Sequence, residues 1–366
     1  MALDSSLGYL NLMTPGAIYL QRPLLGGQVN FPLQLAPMVG LSHVALRLLV
    51  KRYTPEGVCT PWPTEMLSTW RLPKEQVGET PETFRADHES TLVPQILGNE
   101  EEPIRISVRK LADWGAVGID INMGCPVKKA LRHNYGVALM GDADYAAEVV
   151  HMTVKHSPLP VSVKLRAGLQ KDEDFLLKFV RGLESAGASW VTLHPRLGEQ
   201  KRRGNADWSQ ISRVREGVGI PVIGNGDIQC SDDVFNMLQE TGCDGVMAGR
   251  GLAARPWMMW QVGERLGFPP PPDFQGKPAP RTPEEEGAEF GQACLFLLEE
   301  LERYFPFEAG ARRFRFHVRM TCGWLEFGHA LFAVCARGSS YADLRAAVAK
   351  FFTAPQTMVA RTSLRE

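Results

Sequence analysis

Hydrophobic residues recur along this chain with two periods, and the alternation between them sets the first expectation. From about residue 31 to 251, short β-branched or apolar runs that end in polar or glycine residues are followed by longer stretches with helical spacing. Eight such runs are present: LQLAP (33–37), GVCTPWPTE (57–65), TLVPQILG (91–98), VGIDINMG (117–124), PVSVKLR (160–166), SWVTLHPR (189–196), IPVIGNGD (220–227) and GVMAGRG (245–251). Strands alternating with helices imply a parallel sheet. Eight units in this span match a (β/α)8 TIM barrel, about 250 residues in size, better than an open doubly wound sheet. The predicted fold class is therefore α/β, with the barrel over 31–268.

The flanks have other patterns. Residues 1–30 carry Pro15, Pro23 and little periodicity, and read as a leader that wraps the domain or stays mobile. Residues 269–283 (PPPPDFQGKPAPRTP) are too rich in proline for helix or central strand and read as a linker. Helical spacing returns over 284–366, in EFGQACLFLLEELERYF, ARRFRFHVRMTCGWLEFG and ADLRAAVAKFF, which predicts a small C-terminal helical domain. Its second helix gathers Arg312, Arg313, Arg315, His317 and Arg319 with aromatic residues between them.

Composition narrows the function classes. A chain of 366 residues with 44% hydrophobic residues buries a full core. Its 40 basic and 41 acidic side chains leave a formal charge of −1, so no global field draws it to nucleic acid or membrane. Any RNA site is then a local patch. Seven cysteines, with no CxxC pair and mostly inside apolar runs, suit reduced thiols in the cytoplasm and give no reason to expect a metal site. No apolar stretch reaches 18 residues, and the N-terminus opens with Asp4 where a signal peptide would be basic, so neither secretion nor membrane insertion is expected.

In such barrels the C-terminal strand ends form the active site, and the opposite rim serves stability. Here those ends hold Met38, Glu65, Gln95, Asn122, Cys125, Lys164, Arg166, His194, Arg196, Asn225, Asp227 and Arg250, a polar ring on one mouth. Lys164 and Arg166, two apart on a strand, share a face and either meet an anionic ring or phosphate or make a rim salt bridge. Gly224-Asn225-Gly226-Asp227 and Gly249-Arg250-Gly251 follow strands seven and eight, where barrels commonly offer backbone N–H groups to phosphate; glycine at a strand end is also simply a turn. His194 is either a donor to a cofactor or a structural histidine. Cys125, followed by Pro126, Lys128 and Lys129, sits in electropositive surroundings that favour a reactive thiol. Three roles stay open for it: small buried hydrophobe, nucleophile, or general acid.

At GIDINMGCPVKK the chain resembles the tRNA-dihydrouridine synthases, and more closely their bacterial B-type branch. The resemblance extends through LAPMVGLSHVALR, TEMLST, PQILGNE, DINMGCPVKKALRHNYGVALM, VSVKLRAG, VTLHPR, IPVIGNGDI and DGVMAGRGLAARPW, in order over about 31–260, and more loosely through the helical tail. It implies an FMN-containing barrel that reduces the carbon 5 to carbon 6 double bond of uridines in RNA, with NADPH recharging the flavin. By resemblance, Pro37 and Met38 flank the isoalloxazine, and Gln95, Lys164 and His194 hydrogen-bond it. Asn225, Gly226, Gly249 and Arg250 hold the phosphate, with Asp227 in the same cofactor set. Asn122 faces the uracil, Arg166 and Arg196 line the site, and Cys125 protonates carbon 5.

A base inside folded RNA has to be extruded to reach a barrel mouth, with the backbone gripped elsewhere. Lys128 serves that backbone or is solvated surface charge, and Arg312, Arg313 and Arg315 are the candidate grip. The implied partner is tRNA, by B-type resemblance at the D-loop, with ribosomal RNA as the alternative; a monomer is expected. An FMN barrel acting on a small molecule and a non-catalytic RNA-binding barrel are the rival readings. Tyr135, Val137 and Pro195 stand where the family usually has other residues, which bears on the substrate pocket. Two tryptophans in CTPWPTEMLSTW have no assigned role.

Overall fold

The computed structural model describes residues 22–126, 132–201 and 203–363. Eight parallel strands form one curled sheet: β1 Leu33–Leu35, β2 Trp62–Ser68, β3 Leu92–Leu97, β4 Ile119–Met123, β5 Val161–Arg166, β6 Trp190–His194, β7 Val222–Asn225 and β8 Gly245–Ala248. Seven of the eight runs singled out by periodicity contain one of them whole, and the run at 57–65 holds only the first half of β2. Their spatial order is β1-β8-β7-β6-β5-β4-β3-β2, with ladders joining each neighbouring pair. The seam between β1 and β2 is closed differently. Asn30 donates its backbone N–H to Cys59 O at 3.1 Å, its side chain bonds Cys59 N and Gly57 O, and Thr60 Oγ1 donates to Leu33 O at 3.0 Å.

Helices α1 Val44–Arg52, α2 Glu101–Asp113, α3 Ala143–His156, α4 Glu173–Ser185, α5 Ser209–Gly217 and α6 Ser231–Thr241 cover the outside, followed by the short α7 Arg250–Ala254 and α8 Met258–Arg265. Local sequence starts several of them: the side chains of His43, Asp142 and Asp172 accept the N–H groups of Leu46, Tyr145 and Phe175. The second unit departs from the expected pattern. Between β2 and β3 there is a single 3-10 turn, Leu72–Lys74, because Pro73, Gly78 and Pro81 interrupt any longer helix. β2 also runs three residues past Glu65, with a register shift between Pro63 and Met66 where proline lacks its N–H.

Residues 22–30 close the bottom of the barrel. Leu24, Leu25 and Val29 are buried against inward-facing Val93, Trp190, Ile223 and Met247, and Arg22 donates to the carbonyls of Val218 and Ile220. The rest of the expected leader, residues 1–21, lies outside the described residues.

Residues 269–283 are fastened down. Phe274 stacks on Tyr53 at 5.1 Å and meets Trp260 at 4.8 Å, and Ala279 is buried. Beyond them lie α9 Pro283–Tyr304, α10 Phe307–Thr321, α11 Gly328–Cys335 and α12 Tyr341–Phe351. A capping box of Thr282 and Glu285, with Pro283 in the first turn, starts α9. This unit has no separate core: Val44, Leu48, Ala253 and Trp257 of the barrel share one apolar cluster with Phe290, Leu297, Phe314 and Leu344. Buried Arg255 crosses the junction, bonding Glu286 at 2.9 Å and Val359 O at 2.6 Å.

Candidate active site at the barrel mouth

Alternation on β4 sends Asp120 and Asn122 inward, where a chain of hydrogen bonds runs up the barrel wall. Ser162 Oγ donates to Asp120 Oδ1 and Gln95 Nε2 to Asp120 Oδ2, both at 2.6 Å. Asn122 Nδ2 donates to Gln95 Oε1 at 2.6 Å. Asn122 Oδ1 then accepts the backbone N–H groups of Gly124 at 3.1 Å and Cys125 at 2.9 Å. The side chain of Asn122 thus fixes the turn that carries Cys125. Val137 N–H donates to Cys125 O, and Arg166 Nε donates to Gly124 O at 2.8 Å, bracing the same turn from two further elements.

A second group centres on His194 at the end of β6. Arg196 Nη1 lies 3.0 Å from His194 Nε2, and a guanidinium only donates, so Nε2 accepts and the imidazole proton sits on Nδ1. Burial first, then the charges of Lys164, Arg166, Arg196 and Arg250, hold the imidazole well below its ordinary range, so His194 is neutral. Arg196 is itself buried and forked onto both oxygens of Asp227 at 2.6 and 2.8 Å. Burial and the neighbouring Arg166 bring the Lys164 ammonium down to about 8, against the opposing pull of Asp120 and Cys125.

Two glycines bring backbone close to this group. A Cβ on Gly226, whose φ is +125°, falls 2.7 Å from Ala206 Cβ and 3.1 Å from His194 Cδ2. A Cβ on Gly249 falls 3.1 Å from Met38 Sδ, which places the β1 loop with Pro37 and Met38 against the glycine turn after β8. Asn225 Nδ2 donates to Met247 O and ties β7 to β8 just below. Among the described residues, Gln34 Nε2, Thr192 Oγ1 and Arg196 Nε are buried without a protein partner. Cations gathered about a neutral imidazole, side chain-free backbone on two turns, and orphaned buried donors fit a bound anion with a polar ring system, such as a flavin mononucleotide.

The structure therefore brings together at one mouth Pro37, Met38, Gln95, Asn122, Cys125, Lys164, Arg166, His194, Arg196, Asn225, Gly226, Asp227, Gly249 and Arg250. Lys128 lies outside the described residues. The arginines of α10 divide. Arg312 is exposed, Arg313 lies 4.5 Å over the Phe305 ring at the barrel junction, and Arg315 donates to the carbonyls of Cys335 and Gly338. Arg315 thus stitches the helical unit together, and His317 is buried. Asp120 and Ser162 were not singled out in the sequence; the period of two counted back from Asn122 and Lys164 reaches both.

The sequence profile of dihydrouridine synthases (Dus) matches residues 34–327. A probable tRNA-dihydrouridine synthase of Rhodobacter capsulatus is 32% identical over 299 residues, 80% of this chain and 85% of that one. The chain belongs to the dihydrouridine synthase family. Another probable tRNA-dihydrouridine synthase, from Mycobacterium tuberculosis, is 32% identical over 86% of this chain and 80% of its own. One from Rhizobium leguminosarum bv. phaseoli is 36% identical over 61% of this Dus chain and 69% of its own. Among solved structures, histamine dehydrogenase from Rhizobium sp. 4-9 superposes with a TM-score of 0.53 at 13% identity, over 69% of this chain and 49% of that one, which speaks to the barrel fold alone.

Proposed function

We propose that this Dus protein reduces specific uridines of tRNA to 5,6-dihydrouridine, with FMN as bound cofactor and NADPH as reductant. The carrying observation is the Cys125 turn, fixed by Asn122 beside a cationic, glycine-lined site. The names of the similar proteins support tRNA as the substrate.

FMN, when bound, supplies the hydride that adds to carbon 6 of the uracil. Pro37 and Met38 would flank its ring, Lys164 and His194 would bond its polar edge, and Asn225, Gly226, Gly249 and Arg250 would hold its phosphate. Gln95 keeps one amide hydrogen for the ring, because only one is spent on Asp120. Asp227 acts through Arg196, whose fork it fixes. Arg166 and Arg196 line the uracil pocket, and Asn122 holds Cys125 in place.

Addition at carbon 6 leaves an electron pair on carbon 5, and the Cys125 thiol donates its proton there. A general acid in this role has to hold its proton within reach of carbon 5 until the electron pair develops there. As the proton leaves, the adjacent Lys164 charge stabilises the thiolate. Site-resolved dihydrouridine mapping in RNA from a deletion strain tests the reading, and unchanged dihydrouridine at every position would sink it. Cys125→Ala should keep FMN and RNA affinity and lose nearly all turnover; full activity in that variant would remove the acid role.

A further inference from the structure

Trp70 is held out in water on a braced turn at the barrel mouth. Ser68 ends β2, Arg71 N–H donates back to Ser68 O at 3.0 Å, and Trp70 stands at the corner, 47% exposed. The turn is rigidly anchored on both sides. Thr69 is fully buried, with its N–H on Leu97 O and its carbonyl accepting from Ser107 Oγ, and Lys110 Nζ gathers the carbonyls of Leu72, Pro73 and Glu75. Leaving an indole half in water forgoes part of the free energy that burying a large apolar side chain provides. Trp62, by contrast, is buried in the barrel core.

Strand register locates the indole relative to the reacting thiol. Ser68 pairs with Leu97, and Ile96 pairs with Ile121, so Ser68, Leu97 and Asn122 are level. Trp70 follows Ser68 by two residues and Cys125 follows Asn122 by three, on the turns that leave β2 and β4, strands that lie about 10 Å apart with β3 between them. Val39 after β1 and Leu169 after β5 are also large, exposed hydrophobics of this mouth, and the remaining two among the described residues, Phe327 and Val334, lie on the helical unit. None lies on the bottom or on the outer barrel helices. Trp70 itself is flanked by the exposed charge of Arg71.

We propose that Trp70 is a stacking platform for a base of the substrate RNA next to the extruded uridine, an inference that rests on the RNA reading above. Extrusion breaks the stacking of the target's neighbours, and a pre-oriented indole replaces one such contact without regard to base identity. Stacking of this kind is worth about 1–3 kcal/mol per base, or about 5- to 150-fold in affinity.

The test compares parent, Trp70→Ala and Trp70→Phe for binding of unmodified tRNA transcript, for turnover, and for quenching of tryptophan fluorescence by RNA. The alanine variant should bind RNA at least fivefold more weakly, with its loss in KM and FMN content unchanged. The phenylalanine variant should recover most of the affinity, and the parent's RNA-induced quenching should fall in both. Equal RNA affinity in parent and Trp70→Ala would overturn the stacking role alone. A parent that binds no RNA would overturn it together with the RNA reading, and a co-purifying protein lost only from the Trp70 variants would assign the residue to a protein interface instead.

Discussion

Asn122 and Lys164 show how single side chains set this site. Asn122 donates to Gln95 and accepts from two turn amides at once, so an aspartate of the same shape would lose the donor and face Gln95 Oε1 with a second acceptor. Lys164 carries a pH dependence. Its ammonium is brought from the ordinary 10.5 to about 8, so above that pH an incoming anion first has to recruit a proton. FMN affinity should therefore weaken as pH rises from 7 to 9.5, by at most about tenfold per unit. Lys164→Met should bind more weakly with a flat profile, as titration by flavin fluorescence will show; a parent profile that is also flat would exclude Lys164 from the cofactor site. His194 is neutral throughout that window and adds nothing to the slope. The stability of the FMN-free protein takes the opposite sign: the unfolded chain binds more protons between about 8 and 10.5, so the fold gains stability as pH rises there.

At the scale of elements, the strands were legible because a period-two run ending in glycine or a polar residue is a local signal, and the site was legible because a barrel collects its strand ends. What escaped depended on distant partners. Nothing near Arg315 in sequence indicates that its guanidinium is used by carbonyls 20 and 23 residues away, and the arginine-rich helix accordingly reads as one basic face when it is several. The β2–β3 connection escaped because charged residues at helical spacing masked the stops at Pro73, Gly78 and Pro81. The division of α10 has a measurable consequence. Arg312→Ala should lower the slope of log RNA affinity against log salt by about 1 without changing stability. Arg315→Ala should leave that slope alone and lower the urea midpoint, since the carbonyls of Cys335 and Gly338 lose their donor. The reverse pattern would return Arg315 to the RNA face.

For the whole molecule, the proline-rich stretch at 269–283 suggested two domains on a tether, and the shared apolar cluster replaces that picture with one body. The tether reading failed because proline content reports the absence of helix, whereas Phe274 and Ala279 pack regardless of it. Arg255 is the polar fastening of that body, and its ion pair with Glu286 is nearly dry. Arg255→Met leaves the half-buried Glu286 with only Trp257 and Gln261 as donors and should cost about 3 kcal/mol, the low end for breaking a buried pair. Urea unfolding followed at the barrel and at the helical unit should give one coincident transition in parent and variant alike. Two separated transitions would mean that the units fold independently.

The barrel wall is a ring with one clasp. Seven of its joints are backbone ladders, which open only when a whole strand leaves, but the joint between β1 and β2 hangs on Asn30 and Thr60. Such a joint breathes at a lower free energy than the rest of the wall. Deuterium uptake should begin on its two sides, at residues 30–35 and 57–62, and Asn30→Ala should hasten it there while leaving 161–166 protected. Unaltered uptake in that variant would mean that packing alone holds the ring shut. The clasp adjoins β1, whose far end leads into Pro37 and Met38, so the most readily opened edge of the wall is continuous with the loop that faces the cofactor site.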